Sequence, residues 1–122
     1  TKQKRRHISL ANSFVNKKAD LTSTSVTTLY TVPDATTAIV KSILVSEDSG
    51  NADTITVTIT DTSDAVFSLF KTKAISANAT TELLTAPLVL QQKEVLKVTA
   101  ATANRLHVVL SALESKPREV IT

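Results

Sequence analysis

The sequence predicts an all-β protein, an antiparallel two-sheet β-sandwich or jelly-roll-like fold of seven or eight short strands. The clearest observation is residues 54–61, where three aliphatic residues alternate with threonines, so that alternate side chains lie on opposite faces of a strand. Similar short runs recur along the chain, with turn residues between them. Because a strand with one apolar face needs a covering layer, and no segment is predicted to be a long helix, the cover must be a second sheet.

The predicted strands follow one another from residue 26 to residue 113. Seven runs rich in alternating or β-branched residues are assigned, over residues 26–32, 38–46, 54–61, 65–73, 81–90, 95–100 and 105–113. Pro33 and Asp34 end the first strand, since proline cannot donate to a ladder. Pro87 divides the fifth into two apolar pieces and predicts a bend or an edge position.

The second predicted strand is apolar on both faces. Ile39, Ile43 and Val45 are expected on one side and Val40 and Leu44 on the other, which predicts a central, well-covered position. The turn that follows it is rich in acidic residues, Ser, Gly and Asn. We therefore expect the second and third strands to form a hairpin.

A single domain fits the length and composition. A chain of 122 residues can bury a core without metal or disulfide support, and without Cys it has neither a disulfide nor a thiol nucleophile. We assign residues 21–114 to the β-sandwich, residues 1–20 to an extended basic N-terminal arm and residues 115–122 to a C-terminal tail. The single Gly excludes a glycine-rich phosphate loop, and with no apolar run long enough to span a bilayer we expect no membrane partner.

The N-terminal arm is the basic part of the chain. Its one aromatic residue is Phe14, and its cations are Lys2, Lys4, Arg5, Arg6, Lys17 and Lys18. The residues after position 18 carry 8 basic and 11 acidic side chains. A cationic arm on a mildly acidic body predicts docking on an acidic surface. Because one aromatic residue offers no stacking platform for bases, the sequence favours a protein partner over nucleic acid. We expect removal of residues 1–18 to leave the sandwich nearly as stable as before.

No arrangement of residues in the sequence indicates catalysis. His7 and His107 are the only histidines, and a Ser-His-Asp site would require His107 to meet a carboxylate and a nucleophile. The acidic residues between positions 48 and 64 lack the spacing of a calcium-binding EF-hand and are explained as turn formers. We therefore expect no enzymatic activity, no catalytic residue, no metal site and no cofactor.

Four segments, taken in order, carry a resemblance to a known class of protein. They are residues 28–33 (TLYTVP), 37–43 (TAIVKSI), 82–90 (ELLTAPLVL) and 94–100 (EVLKVTA). Together they resemble small β-sandwich structural proteins of tailed bacteriophages, especially marine and cyanobacterial phages, over about residues 26–113. The resemblance implies a virion component, usually homo-oligomeric, without catalytic residues. The basic arm lies outside the resemblance.

These observations lead us to expect a non-enzymatic virion structural protein, a capsid decoration or cement protein docked through its N-terminal arm. A neck or tail ring component at the head-tail connection is the alternative, and symmetry separates the two, since rings follow six-fold or twelve-fold axes. A host-binding adhesin is a further alternative, for which an aromatic-rich sugar-binding loop is missing. The expected partners are copies of the same chain and other virion proteins.

Overall fold

Nine strands form two antiparallel sheets in the computed structural model, which describes the backbone of residues 6–121 and the side chains of residues 11–117. The strands are β1 (Arg6–Asp20), β2 (Thr27–Thr31), β3 (Thr37–Glu47), β4 (Asp53–Thr60), β5 (Val66–Ile75), β6 (Thr80–Glu82), β7 (Leu88–Leu90), β8 (Val95–Ala100) and β9 (Leu106–Ile121). Sheet A has the order β1-β9-β3-β6, with β7 also paired to β3, and sheet B has the order β2-β8-β4-β5. The predicted all-β, two-sheet architecture is confirmed. The part of the chain that the structure describes has no helix long and apolar enough to cross a membrane.

The core lies between the two sheets and is made by alternate residues of the central strands. On β4, Ile55 and Val57 have no exposed surface, while the threonines that alternate with them are half-buried on the opposite face. Strand β9 supplies Leu106, Val108 and Leu110 from the other sheet. Fully burying an aliphatic side chain of this size is worth about 1.5–3 kcal/mol. These two strands, one from each sheet, therefore contribute much of the stability of the fold.

Strand β3 differs from its sequence prediction in one respect. Ile43 and Val45 are buried, but Ile39 lies on the outer face, because the register of β3 against β9 shifts at Lys41. The prediction that Ile39 shares a side with Ile43 and Val45, and Val40 with Leu44, is therefore wrong, since a bulge adds one residue and reverses the alternation beyond it, which leaves Val40 buried in the core. The central position predicted for this strand is confirmed, because β3 lies between β9 and the short strands β6 and β7.

The predicted hairpin between the second and third strands is wrong. Strand β3 belongs to sheet A and β4 to sheet B, so the turn after Glu47 carries the chain across the sandwich. Strand β4 pairs instead with β5 and β8. Each strand has an apolar face, and placing the two faces opposite each other buries both, whereas a hairpin would keep them in one layer. The strand predicted over residues 81–90 is two short strands, β6 and β7, with Pro87 in the loop between them.

Both chain ends belong to sheet A. Strand β1 pairs with β9 along its whole length, from Arg6 to Asp20, without a register shift. Val15 and Ala19 of β1 pack against the core. Residues 115–121, which belong to the predicted C-terminal tail of residues 115–122, continue strand β9. Pairing with β1 gives this segment the backbone hydrogen-bond partners that a lone tail would lack.

Candidate assembly surface

The two chain ends form a ribbon that extends past the rest of sheet A. Residues 106–115 of β9 lie between β1 and β3, but residues 116–121 pair only with residues 6–11 of β1. At about 3.4 Å per residue, these paired positions make a two-stranded ribbon roughly 20 Å long. A two-stranded ribbon is only marginally stable by itself in water. This segment is therefore placed to gain stability from contact with another molecule.

The predicted docking residues fall into two groups. Four lie at or before the start of β1, and their side chains are outside the described residues: Lys2, Lys4, Arg5 and Arg6. Three lie within β1 and are exposed: Phe14, Lys17 and Lys18. Phe14 and Lys18 are on the outer face of sheet A, because Val15 and Ala19, which have the other parity, pack against the core.

An apolar stripe crosses the outer face of sheet A at Phe14. The strand register places Phe14 opposite Leu113, Leu113 opposite Ile39, and Ile39 opposite Val89. Phe14 is 82% exposed and Val89 is 53% exposed, while Leu113 and Ile39 between them are half-buried. Directly opposed residues in an antiparallel sheet have Cβ atoms about 4.5–5.5 Å apart. The four side chains therefore form one continuous surface, which we name the sheet A stripe.

Sequence reasoning identified Phe14 but missed the other members of the stripe. Leu113, Ile39 and Val89 come from three different strands, and only the pairing register brings them to Phe14. The local signal was the alternation of β9, in which Leu106, Val108 and Leu110 take one face and Leu113 takes the other. That signal marks a residue as outward-facing, but it does not say which residues of other strands lie beside it.

Exposed cations accompany the stripe. Lys18 lies on the same face of β1 as Phe14, and Lys41 is at the bulge in β3. Phe14, Lys41 and Ser111 line one shallow cavity of about 270 Å³. An exposed phenylalanine with amines beside it fits a partner surface that is apolar at its centre and acidic at its edge.

A second exposed apolar surface lies on β5, at the edge of sheet B. Val66 is 62% exposed and Phe67 is 56% exposed. Farther along the strand, Phe70 lines a groove of about 310 Å³ together with Pro87. The pairing of β5 with β4 has two register shifts, and Thr72 of β5 has a φ of 49°, in the left-handed region. Irregularities of this kind twist an edge strand away from potential neighbours.

His107 lies between two carboxylates where β1 ends. Its Nε2 atom is 3.2 Å from Asp20 Oδ1, and its Nδ1 atom is 3.4 Å from Asp48 Oδ2. Both ring nitrogens are directed at acidic oxygens and not at a serine or threonine hydroxyl. The three side chains instead tie the start of β9 to the ends of β1 and β3.

Other carboxylates hold turns. Glu47, which is 2% exposed, accepts hydrogen bonds from the amide and hydroxyl of Ser49 and from the amides of Gly50 and Asn78. Burial acts to raise the pKa of Glu47, but these hydrogen bonds outweigh it and lower the pKa to about 2. The Asp61 carboxylate is likewise held within its own turn. Over the described ranges, no group of three or more His, Cys, Asp or Glu side chains is arranged to hold a metal ion.

One buried hydrogen bond joins the two sheets. The Tyr30 hydroxyl of β2 donates to Glu114 Oε2 of β9 at 2.5 Å, and both side chains are buried. Burial, together with the neighbouring carboxylate, raises the pKa of the Tyr30 hydroxyl well above its usual range. The bond supplies the partner that a buried carboxylate requires, so we assign Glu114 a structural role.

Comparisons with known proteins find few similarities. No protein-family model matches the chain, and no curated protein matches it. Among solved structures, the chain is similar to one described as "Cyanophage Pam1 capsid asymmetric unit", with 17% sequence identity and a TM-score of 0.37. The similarity covers 92% of this chain and 86% of that chain. At this TM-score the similarity does not indicate a function for the chain.

Proposed function

We propose that this chain is a non-enzymatic structural protein of a bacteriophage virion, assembled on the particle as a capsid decoration or cement protein. The observation that carries the proposal is the sheet A stripe, where Phe14 is 82% exposed beside three further apolar side chains. The resemblance of residues 26–113 to small virion proteins of tailed phages supports the same role.

The stripe has the character of a contact surface. Single apolar residues on a protein surface are normal, but contiguous exposed apolar side chains mark sites of interaction. Burying an exposed Phe is worth about 1.5–3 kcal/mol, and Val89 adds to this because it is also more than half exposed. On the particle, the stripe packs against an apolar area of a neighbouring virion protein.

The cations give this contact its charge preference. Lys18 and Lys41 are exposed near the stripe, Lys17 is exposed on β1 with the parity of Val15 and Ala19, and the sequence adds Lys2, Lys4, Arg5 and Arg6 at or before the first residue of β1. These charges attract an acidic neighbouring surface, which increases the rate of encounter more than the final affinity. Docking therefore weakens as salt rises, since screening shortens to about 3 Å at 1 M ionic strength.

The absence of catalysis is part of the proposal. Carboxylates lie beside both ring nitrogens of His107, and Glu47 and Asp61 hold turns through their hydrogen bonds. In the described part of the chain, each of these titratable side chains already has a structural contact. A neck or tail ring protein would use the same surfaces, and the symmetry of the assembly separates that location from the capsid.

Co-sedimentation with particles that lack this component tests the role of the stripe. We expect Phe14→Ser to weaken binding at least tenfold, because the loss of about 1.5 kcal/mol of apolar burial corresponds to that factor. Phe67→Ser is the matched control, since Phe67 is an exposed phenylalanine on sheet B, and it should bind like the unchanged protein. Equal binding of the Phe14→Ser and unchanged proteins would contradict the proposal.

The same assay tests the cations. Replacing Lys2, Lys4 and Arg5 with Glu should reduce binding in low salt and have less effect in high salt, as for any screened charge contact. Treating the particles with nuclease identifies the partner. Binding that persists after nuclease supports a protein partner, and binding lost only after nuclease would move the partner to nucleic acid and contradict docking on a virion protein.

A further inference from the structure

Strand β1 presents a long unpaired edge. In the described sheet its one neighbour is β9, so over 15 residues its outer edge directs backbone N–H and C=O groups away from the sheet. The strand contains no Pro or Gly, and its pairing with β9 has no register shift. Proline and bulges are two of the devices by which edge strands avoid pairing with another chain. Strand β1 therefore lacks both.

The other described edges have the protection that β1 lacks. Strand β5 has two register shifts and a left-handed residue, Thr72. Strand β2 is five residues long and has a register shift of its own, and β6 and β7 are three residues each. Among the described strands, β1 is the long, regular edge that can act as a template for another strand.

We infer that two copies of this chain pair through the outer edges of their β1 strands, antiparallel and about a two-fold axis at Ser13. The pairing joins the two A sheets into one continuous sheet, in the order β3-β9-β1 followed by β1-β9-β3 of the second copy. The interface is isologous, so each contact occurs twice. The inference does not depend on the virion role, because it concerns the purified protein.

The charges of β1 select this register. With Ser13 on the axis, Arg6 of one copy is level with Asp20 of the other, and this pairing of opposite charges occurs twice. Lys17 and Lys18 are level with Ser9 and Ile8, so no cations oppose each other. A shift of the register by two residues in one direction would place Lys18 level with Arg6, where like charges are destabilising. A shift in the other direction would remove the Arg6–Asp20 pairing.

The same register brings the two Phe14 side chains together. Phe14 is level with Asn12 of the second copy and diagonal to its Phe14. Diagonal positions in a sheet are about 7–8 Å apart, which is within reach of aromatic side chains. The sheet A stripes of the two copies therefore meet at the axis, and the pair presents one apolar surface instead of two separate ones.

Sedimentation of the purified protein tests the pairing and its charges. We expect a concentration-dependent dimer of twice the 13.1 kDa chain mass. Asp20→Lys should weaken the dimer about tenfold, because two attractive contacts become repulsive. Adding Arg6→Asp to that variant should restore the dimer, which loss of the Asp20 contact with His107 alone would not allow. A monomer at all concentrations, or no recovery in the double variant, would overturn the inference.

Disulfide trapping tests the register directly, since the chain has no Cys of its own. A Ser13→Cys variant places two thiols opposite each other on the axis, within the distance that a disulfide spans, and should oxidise to a covalent dimer. Asn16→Cys is the matched control, because Asn16 is exposed on the same strand but lies roughly 20 Å from its copy in this register. Cross-linking of Asn16→Cys as efficient as that of Ser13→Cys would overturn the register.

Discussion

A buried carboxylate, Glu47, connects two turns of this protein. Its oxygens accept hydrogen bonds from the amides of Ser49 and Gly50 in the crossing after β3, and from the amide of Asn78 in the turn before β6. Burying a charge is unfavourable unless such bonds compensate it. The turn at Glu47 was predicted from its neighbours, but the bond to Asn78 spans 31 positions and depends on the tertiary fold.

Acid should destabilise the protein through Glu47. Its pKa of about 2 is below the ordinary value of 4.5, so its contribution to the free energy of unfolding is present above pH 4.5 and is lost as pH falls toward 2. We expect Glu47→Gln to unfold at a lower temperature than the unchanged protein at pH 7, with the difference shrinking toward pH 2. Thermal unfolding followed by circular dichroism measures both. Asp64→Asn, at an exposed turn residue, is the control and should change little.

Alkali should destabilise the protein through Tyr30. The pKa of its hydroxyl is raised above 10 in the folded state, so the unfolded chain loses this proton first, and the free energy of unfolding falls as pH rises above 10. Tyr30→Phe removes the titration and leaves Glu114 without its donor, which should cost about 1–3 kcal/mol at pH 7. Denaturant unfolding at pH 7 and at pH 11 tests this. If the free energies of unfolding of the Tyr30→Phe variant and the unchanged protein fell equally between pH 7 and pH 11, titration of Tyr30 would not be the cause of the loss.

Strand β1 is the element for which the sequence prediction and the structure differ most. Its residues lack a clean period of two, and the strand was predicted only as an extended arm. The reason is visible in its packing, since Val15 and Ala19 face the core while Lys17, between them, is exposed. The partner that makes it a strand is β9, about one hundred residues away in sequence, and local pattern does not identify such a partner.

Two truncations should distinguish the contribution of residues 1–5 to stability from the contribution of strand β1. Removing residues 1–5 should leave thermal unfolding unchanged, because the described ladder between β1 and β9, from Arg6 to Asp20, is kept. Removing residues 1–18 should lower the free energy of unfolding by about 2 kcal/mol or more, since the deletion removes Val15 from the core and leaves β9 as an open edge. This revises the sequence-based expectation of nearly unchanged stability. Equal unfolding temperatures for both truncated proteins would restore that expectation.

The strands that alternate cleanly were predictable, and the register between strands was not. Ile55 and Val57 on β4 and Leu106 and Val108 on β9 are buried as their alternation indicated. Ile39 was placed on the wrong face, because a bulge leaves no local mark in the sequence. The same applies to the candidate surface. Phe14 could be identified from the sequence as a candidate contact residue, but the sheet A stripe could not, because it depends on the register of four strands.

At the scale of the whole molecule, the protein has a well-packed body, and sheet A has exposed apolar residues and an open strand edge. The apolar residues between the sheets are buried against one another within the chain. The outer face of sheet A instead exposes the sheet A stripe, and the edge of the same sheet exposes the unpaired backbone groups of β1. An assembly protein needs both properties, since a rigid body holds its contact surfaces in fixed positions. The fold thus agrees with a role in which binding to neighbours is the function.

A reconstruction of the whole phage particle tests this role most directly. It would show whether the chain is present, which symmetry it follows and what covers the outer face of sheet A. We predict that the chain is found on the particle with Phe14 and Val89 buried against a neighbouring protein. Absence of the chain from purified particles, or its presence with the sheet A stripe open to solvent, would contradict the proposed function.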